Sequence, residues 1–110
     1  MHITIEALQQ YLAHRYGGWG KEESMFMKLV EEIGEVAEVL HKKASRKAND
    51  EDNINEQLGI ELADMLHYIL AIAALNDLDL ERIILEKDKK ASVKYHHDIN
   101  LEQFLQKEDH

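Results

Sequence analysis

An all-α bundle is the fold class this sequence predicts, and three observations predict it. The 110 residues contain no proline and only five glycines, three of them in the run Gly17-Gly18-Trp19-Gly20, so helix breakers are nearly confined to one place. Apolar residues recur at steps of three and four along most of the chain, the repeat of a helix with one buried face. The stretch Leu58 to Leu75 is apolar almost all round, which is the pattern of a buried helix. At this length folding buries roughly 60 to 70% of the unfolded surface, so the core is modest and association with further copies would help. The expected organisation is a single domain over residues 1–110, with a core of about 3–95 and a tail of 96–110.

The elements follow in order. Ile5, Leu8, Tyr11 and Leu12 predict a first helix from Ile3 to Tyr16, ended by the glycine run. A second helix starts at Ser24 or the acids before it and runs to about Ala44, with Phe26, Leu29, Val30, Ile33, Val36, Ala37 and Leu40 inward. Lys42, Lys43, Arg46 and Lys47 make a basic end that complements the helix dipole, and Ser45 to Asn53 reads as a polar loop. The third helix is expected from about Ile54 to Asn76. The fourth runs from a capped start at Asp79 to Tyr95, and a short helix around Leu101 to Gln106 can follow in the tail.

Composition removes several function classes. Hydrophobic residues are 45% and charged residues 32% of the chain, as in globular proteins and unlike disordered ones. Cysteine is absent, which excludes disulfides, thiol catalysis and cysteine-ligated zinc, and suits the cytoplasmic location expected for the protein. The start Met1-His2-Ile3-Thr4 lacks the succession of a signal peptide, and Ile60 to Leu75 carries two acids and is short for a bilayer, so no membrane role is expected. A net charge of −9 is not the footprint of a binder of nucleic-acid polymers. A small polyanionic substrate would need bridging cations.

The acids carry the chemistry. Glu61 and Asp64 lie inside the most apolar helix, and burying unpaired carboxylates costs several kcal/mol unless something offsets them. Glu32 and Glu35, also three residues apart, form a matching clip on the second helix, with Lys28 one turn before Glu32. On the third helix the stripe Gln57, Glu61, Asp64, Tyr68 borders the more apolar stripe Leu58, Leu62, Met65, Ile69, Ile72. If the two helices pack together, four carboxylates meet at their seam, and a pair of divalent cations would neutralise them. Mg²⁺ fits best, because it takes carboxylate oxygens, keeps waters and is shared with substrate phosphates; Mn²⁺ is the substitute.

These residues carry a resemblance. Glu31-Glu32-Ile33-Gly34-Glu35, a spacer of 25 residues and Glu61-Leu62-Ala63-Asp64 form the pattern Glu-Glu-x-x-Glu…Glu-x-x-Asp, which resembles the signature of the MazG-like all-α nucleoside triphosphate pyrophosphohydrolases. Leu29-Val30, Gly34, Met65-Leu66, Tyr68 and Leu78-Asp79-Leu80-Glu81 also fall where such proteins have similar residues, so the likeness spans about Met25 to Tyr95. It implies a four-helix subunit in a homodimer or homotetramer, with sites near the subunit contacts. It also implies Mg²⁺-dependent cleavage of a (deoxy)nucleoside triphosphate to the monophosphate and pyrophosphate, often to clear unwanted nucleotides.

By position, the resemblance gives Glu32, Glu35, Glu61 and Asp64 as metal ligands, and Glu31 or Glu38 as the base assisting a water; the latter two are equally readable as surface acids. Lys87, Lys94 and Lys90 match basic positions for phosphate on the last helix, where a solvated helix end is the competing reading. Tyr95 matches a family tyrosine, and Ala91 replaces a family asparagine. Lys28 joins the substrate-binding candidates. Trp19 either stacks on a nucleobase or seals the core, and Tyr68 either borders base or sugar or belongs to the core. Three alternatives stand beside this. One is the related phosphoribosyl-ATP pyrophosphohydrolases. Another is a di-iron bundle built on Asp64-x-x-His67, disfavoured because the second helix has no matching histidine. The last is a helical oligomerisation module without chemistry, which leaves the inward acids unexplained.

Overall fold

The computed structural model describes residues 1–17, 20, 22–45 and 51–108. Among them are five helices and no strand: α1 (Ile5–Tyr16), α2 (Glu22–Ser45), α3 (Glu51–Leu75), α4 (Leu80–Lys94) and α5 (Leu101–Glu108). Helix starts follow local chemistry. The Thr4 hydroxyl accepts from the Ala7 amide at 3.0 Å, which fixes the start of α1 two residues later than the apolar spacing suggests. Asp79 accepts from the Arg82 amide at 3.1 Å at the head of α4. Asn100 and Gln103 exchange side-chain to backbone bonds, both 2.9 Å, in a capping box that opens α5.

The ends are equally local. At the end of α3 the Leu78 amide donates to the Ala73 carbonyl (3.0 Å), with Asp77 at φ 53°; at the end of α4 the His97 amide donates to the Ser92 carbonyl (3.0 Å), with His96 at φ 57°. Both are Schellman-type ends that hold a non-glycine residue in the left-handed region.

α2 and α3 form an antiparallel pair. Lys43 Nζ reaches Asn55 Oδ1 (2.7 Å) at one end and Asn76 Nδ2 reaches Glu22 Oε1 (2.6 Å) at the other. α1 lies antiparallel on the second half of α3, tied by Gln9 Nε2 to the Leu78 carbonyl at 2.8 Å. Leu12, Met25, Leu70 and Ala71 form the buried centre where these three helices meet, and Val39 is buried further along α2. α4 packs on α5 and on α1, and Asp88 accepts the Leu101 amide at 2.6 Å to fix the α4–α5 corner. Four helices therefore do not close into a bundle within one chain, and the tail contributes a fifth.

The inward face of α2 differs from the one the periodicity predicts. Its covered positions are Met25, Leu29, Glu32, Val36, Val39 and Lys43, whereas Phe26, Val30, Ile33 and Leu40 are about half exposed. On α3, Leu58, Glu61 and Met65 turn inward, while Ile60, Leu62, Leu66 and Ile69 are exposed. Both helices are apolar on two sides and the subunit covers one. α3 also runs longer than expected, and Asn53–Leu75, 23 residues, is long and apolar enough by length and composition to cross a bilayer. The accessible surface of 8731 Å² exceeds the about 6300 Å² of a compact chain of this mass. The radius of gyration, 17.3 Å, likewise exceeds the about 13 Å of a compact domain.

Candidate metal centre and active site

The α2–α3 seam brings two inward stripes together with an acid in each. Glu32 lies one turn on from Leu29, and Glu61 lies between Leu58 and Met65, so the packing that buries those leucines and that methionine also draws both carboxylates into the seam. Asp64, one turn beyond Glu61, is exposed at its edge. One ligand oxygen from each of Glu32, Glu61 and Asp64 lies within 4.8 Å of the others. Glu32 Oε2 and Glu61 Oε2 are buried with no hydrogen-bond partner. Buried polar atoms are ordinarily paired, and a carboxylate oxygen can only accept, so this pair calls for a proton or a cation. Three converging hard oxygen donors fit Mg²⁺ or Mn²⁺.

The electrostatics agree. Glu61 is held above the ordinary glutamate range first by the close approach of the Glu32 carboxylate, with burial and the charges of Glu32 and Asp64 acting the same way, against a lowering contact from Glu35. Glu35 is raised too, first by the close approach of the Glu61 carboxylate and then by that residue's charge, by partial loss of solvent and by Glu31. Carboxylates crowded this way share protons until a cation replaces them.

The structure distributes the sequence-predicted residues over several places. Glu32, Glu61 and Asp64 form the group; Glu35 touches it through Glu61 from an exposed position. Lys28, Glu31 and Glu38 are exposed on α2. Tyr68 is half-buried, packs on the core, and sits one turn beyond Asp64. Lys87, Lys90 and Lys94 are exposed on α4, which packs on α5 and α1 and not along α2, so the subunit does not bring them to its own carboxylates. Tyr95 caps α4, with Lys94 Nζ 5.3 Å from its ring centre and His97 stacked at 6.2 Å. Trp19, Arg46 and Lys47 lie outside the described residues.

His67 makes a contact that the sequence does not reveal. Its Nε2 shares a 3.0 Å hydrogen bond with the Tyr16 hydroxyl, and its ring meets Tyr16 and Tyr68 edge-on at 5.8 and 5.2 Å. Burial holds the imidazole below its ordinary value, the Arg15 charge adds to this, and Asp64 opposes it. With Nε2 engaged on α1, His67 is not in the carboxylate group that a di-iron pair would need. The partner was invisible in the sequence because it is 51 residues away.

Against known protein families, residues 21–97 match the MazG nucleotide pyrophosphohydrolase domain, which takes in all four helix-borne acids of the seam. The chain belongs to the MazG family. Neither a curated protein nor a solved structure matches it. MazG membership supports a nucleotide pyrophosphohydrolase domain, and the all-α fold is consistent with it.

Proposed function

We propose that the protein is a Mg²⁺-dependent pyrophosphohydrolase that cleaves ribo- or deoxyribonucleoside triphosphates to monophosphate and pyrophosphate, clearing surplus or noncanonical nucleotides in the cytoplasm. The observation that carries this reading is the meeting of Glu32, Glu61 and Asp64, two of them with orphaned buried oxygens, inside a MazG domain. With Glu35 these residues would hold the cation. A bound cation neutralises phosphate oxygens and lowers the pKa of a water. Glu31 or Glu38, both exposed on α2, would take the proton of an attacking water. Tyr68, Trp19 and Lys28 are assigned to substrate.

The working unit in this proposal is a homodimer or homotetramer. The excess surface of about 2400 Å² over a compact chain is of the size an obligate interface covers, and the exposed Phe26, Val30, Ile33, Leu62, Leu66 and Ile69 supply its apolar centre. Covering that face with a second copy accounts for the apolar length of α3 without a membrane. It also lets Lys87, Lys90, Lys94 and Tyr95 of one copy serve the carboxylates of another, acting as point charges on the phosphates.

Turnover of a nucleotide panel by the Asp64→Asn and Glu35→Gln variants tests the site. Both are expected to lose metal-dependent hydrolysis and keep their helix content. Full activity in both would refute the assignment.

A further inference from the structure

An aromatic chain tied by one hydrogen bond joins Tyr16 on α1 to His67 and Tyr68 on α3, and none of the three belongs to the carboxylate group. Tyr16, at the last turn of α1, shares its hydroxyl with His67 Nε2 at 3.0 Å. The rings of Tyr16 and His67 are nearly perpendicular (89°), as are those of His67 and Tyr68 (83°). His67 is thus held on both sides, and it holds the Tyr68 ring in turn. Tyr68 follows Asp64 by one turn on the stripe that carries Glu61, so its Cα stands about 6 Å along the helix axis from that of a proposed cation ligand. A histidine on an apolar helix has a packing cost that leucine would avoid, and its neutral form suits a hydroxyl partner and not a phosphate.

We propose that His67, fixed by Tyr16, is a positioning residue that sets the Tyr68 ring against the nucleoside part of the substrate, so that affinity for the base and sugar depends on the Tyr16–His67 hydrogen bond while affinity for the polyphosphate does not. This rests on the proposed pyrophosphohydrolase reading of the carboxylate group. Two ligands that share a polyphosphate, one with a nucleoside and one without, separate the roles: a non-hydrolysable nucleoside triphosphate and inorganic tripolyphosphate, each with Mn²⁺, titrated calorimetrically into the full chain.

His67→Leu keeps the volume and removes the bond, Tyr16→Phe keeps the ring and removes the hydroxyl, and His67→Gln restores a polar partner for Tyr16. The first two are expected to weaken nucleotide binding by up to about tenfold, the limit set by the free energy of one hydrogen bond, with His67→Gln recovering part of the loss and tripolyphosphate binding unchanged in all three. A parallel loss for both ligands would mean a merely structural role and would overturn the proposal, as would unchanged nucleotide binding. Wild type that binds neither ligand overturns the pyrophosphohydrolase reading itself, and this inference with it.

Discussion

Replacing Glu61 by glutamine separates the cation-binding role of the carboxylate group from its part in the fold. Glutamine keeps the size and removes one of the three charges that lie within 4.8 Å of one another. In the wild-type protein, a cation present at about 100 times its Kd stabilises the folded state by about 2.7 kcal/mol. For a domain near this size each kcal/mol moves Tm by about 4 °C, so the cation should raise Tm by about 10 °C. If losing one ligand of three weakens the cation about 100-fold, the same concentration sits near the new Kd, the gain falls to about 0.4 kcal/mol, and the shift shrinks to about 2 °C. The metal-free variant should melt no lower than metal-free wild type, because Glu61 is crowded by Glu32 and Asp64 and its removal relieves that repulsion. Thermal denaturation with MgCl₂ and with EDTA reads all four states. A variant that keeps the full cation-dependent rise would refute the role given to Glu61, and one that melts far below wild type without metal would show that the side chain is needed for packing.

Four further outcomes are expected. Because Glu61 and Glu35 carry raised pKa values, the native state binds more protons than the unfolded chain, so metal-free stability should fall as pH rises from the ordinary carboxylate range through the raised values, and saturating Mg²⁺ should flatten that fall; denaturant titrations across pH that show stability rising instead would contradict the crowding. Paired Ile33→Glu and Leu66→Glu substitutions on the exposed apolar face should reduce a particle of at least twice the 12.8 kDa chain to a single chain in light scattering, and a wild type already monomeric would remove the proposed interface. His96→Gly should raise Tm by a few degrees, since the left-handed backbone there costs an L-residue about 1–2 kcal/mol and glycine's greater unfolded entropy returns only about half; a lower Tm would mean the histidine makes compensating contacts. Lys94→Ala should raise KM for the triphosphate, and an unchanged KM would leave the side chain as solvated surface.

The sequence made the helices legible because several boundaries are set locally: Asp79 caps α4 as expected and the glycine run follows α1, whereas the apolar spacing marks neither the Thr4 cap nor the early start of α3. The acid pairs were legible for a related reason, since carboxylates three residues apart share a helix face whatever that helix packs against. The choice of face was not legible. α2 has apolar residues on two sides, and periodicity alone cannot tell Met25, Leu29, Val36 and Val39, which meet α3, from Phe26, Val30, Ile33 and Leu40, which do not. The same ambiguity put Leu62 and Ile69 inward on α3. Side-chain pairs across helices, such as Tyr16 with His67, depend on how α1 settles on α3, which no local signal encodes.

The most direct test of the central claim is ³¹P NMR of the products formed from a panel of ribo- and deoxyribonucleoside triphosphates, with Mg²⁺ and then with EDTA. The account predicts monophosphate and pyrophosphate in equal amounts from at least one nucleotide, formed only with the metal and abolished by Asp64→Asn. Diphosphate and orthophosphate, turnover that persists in EDTA, or no turnover of any nucleotide would contradict it.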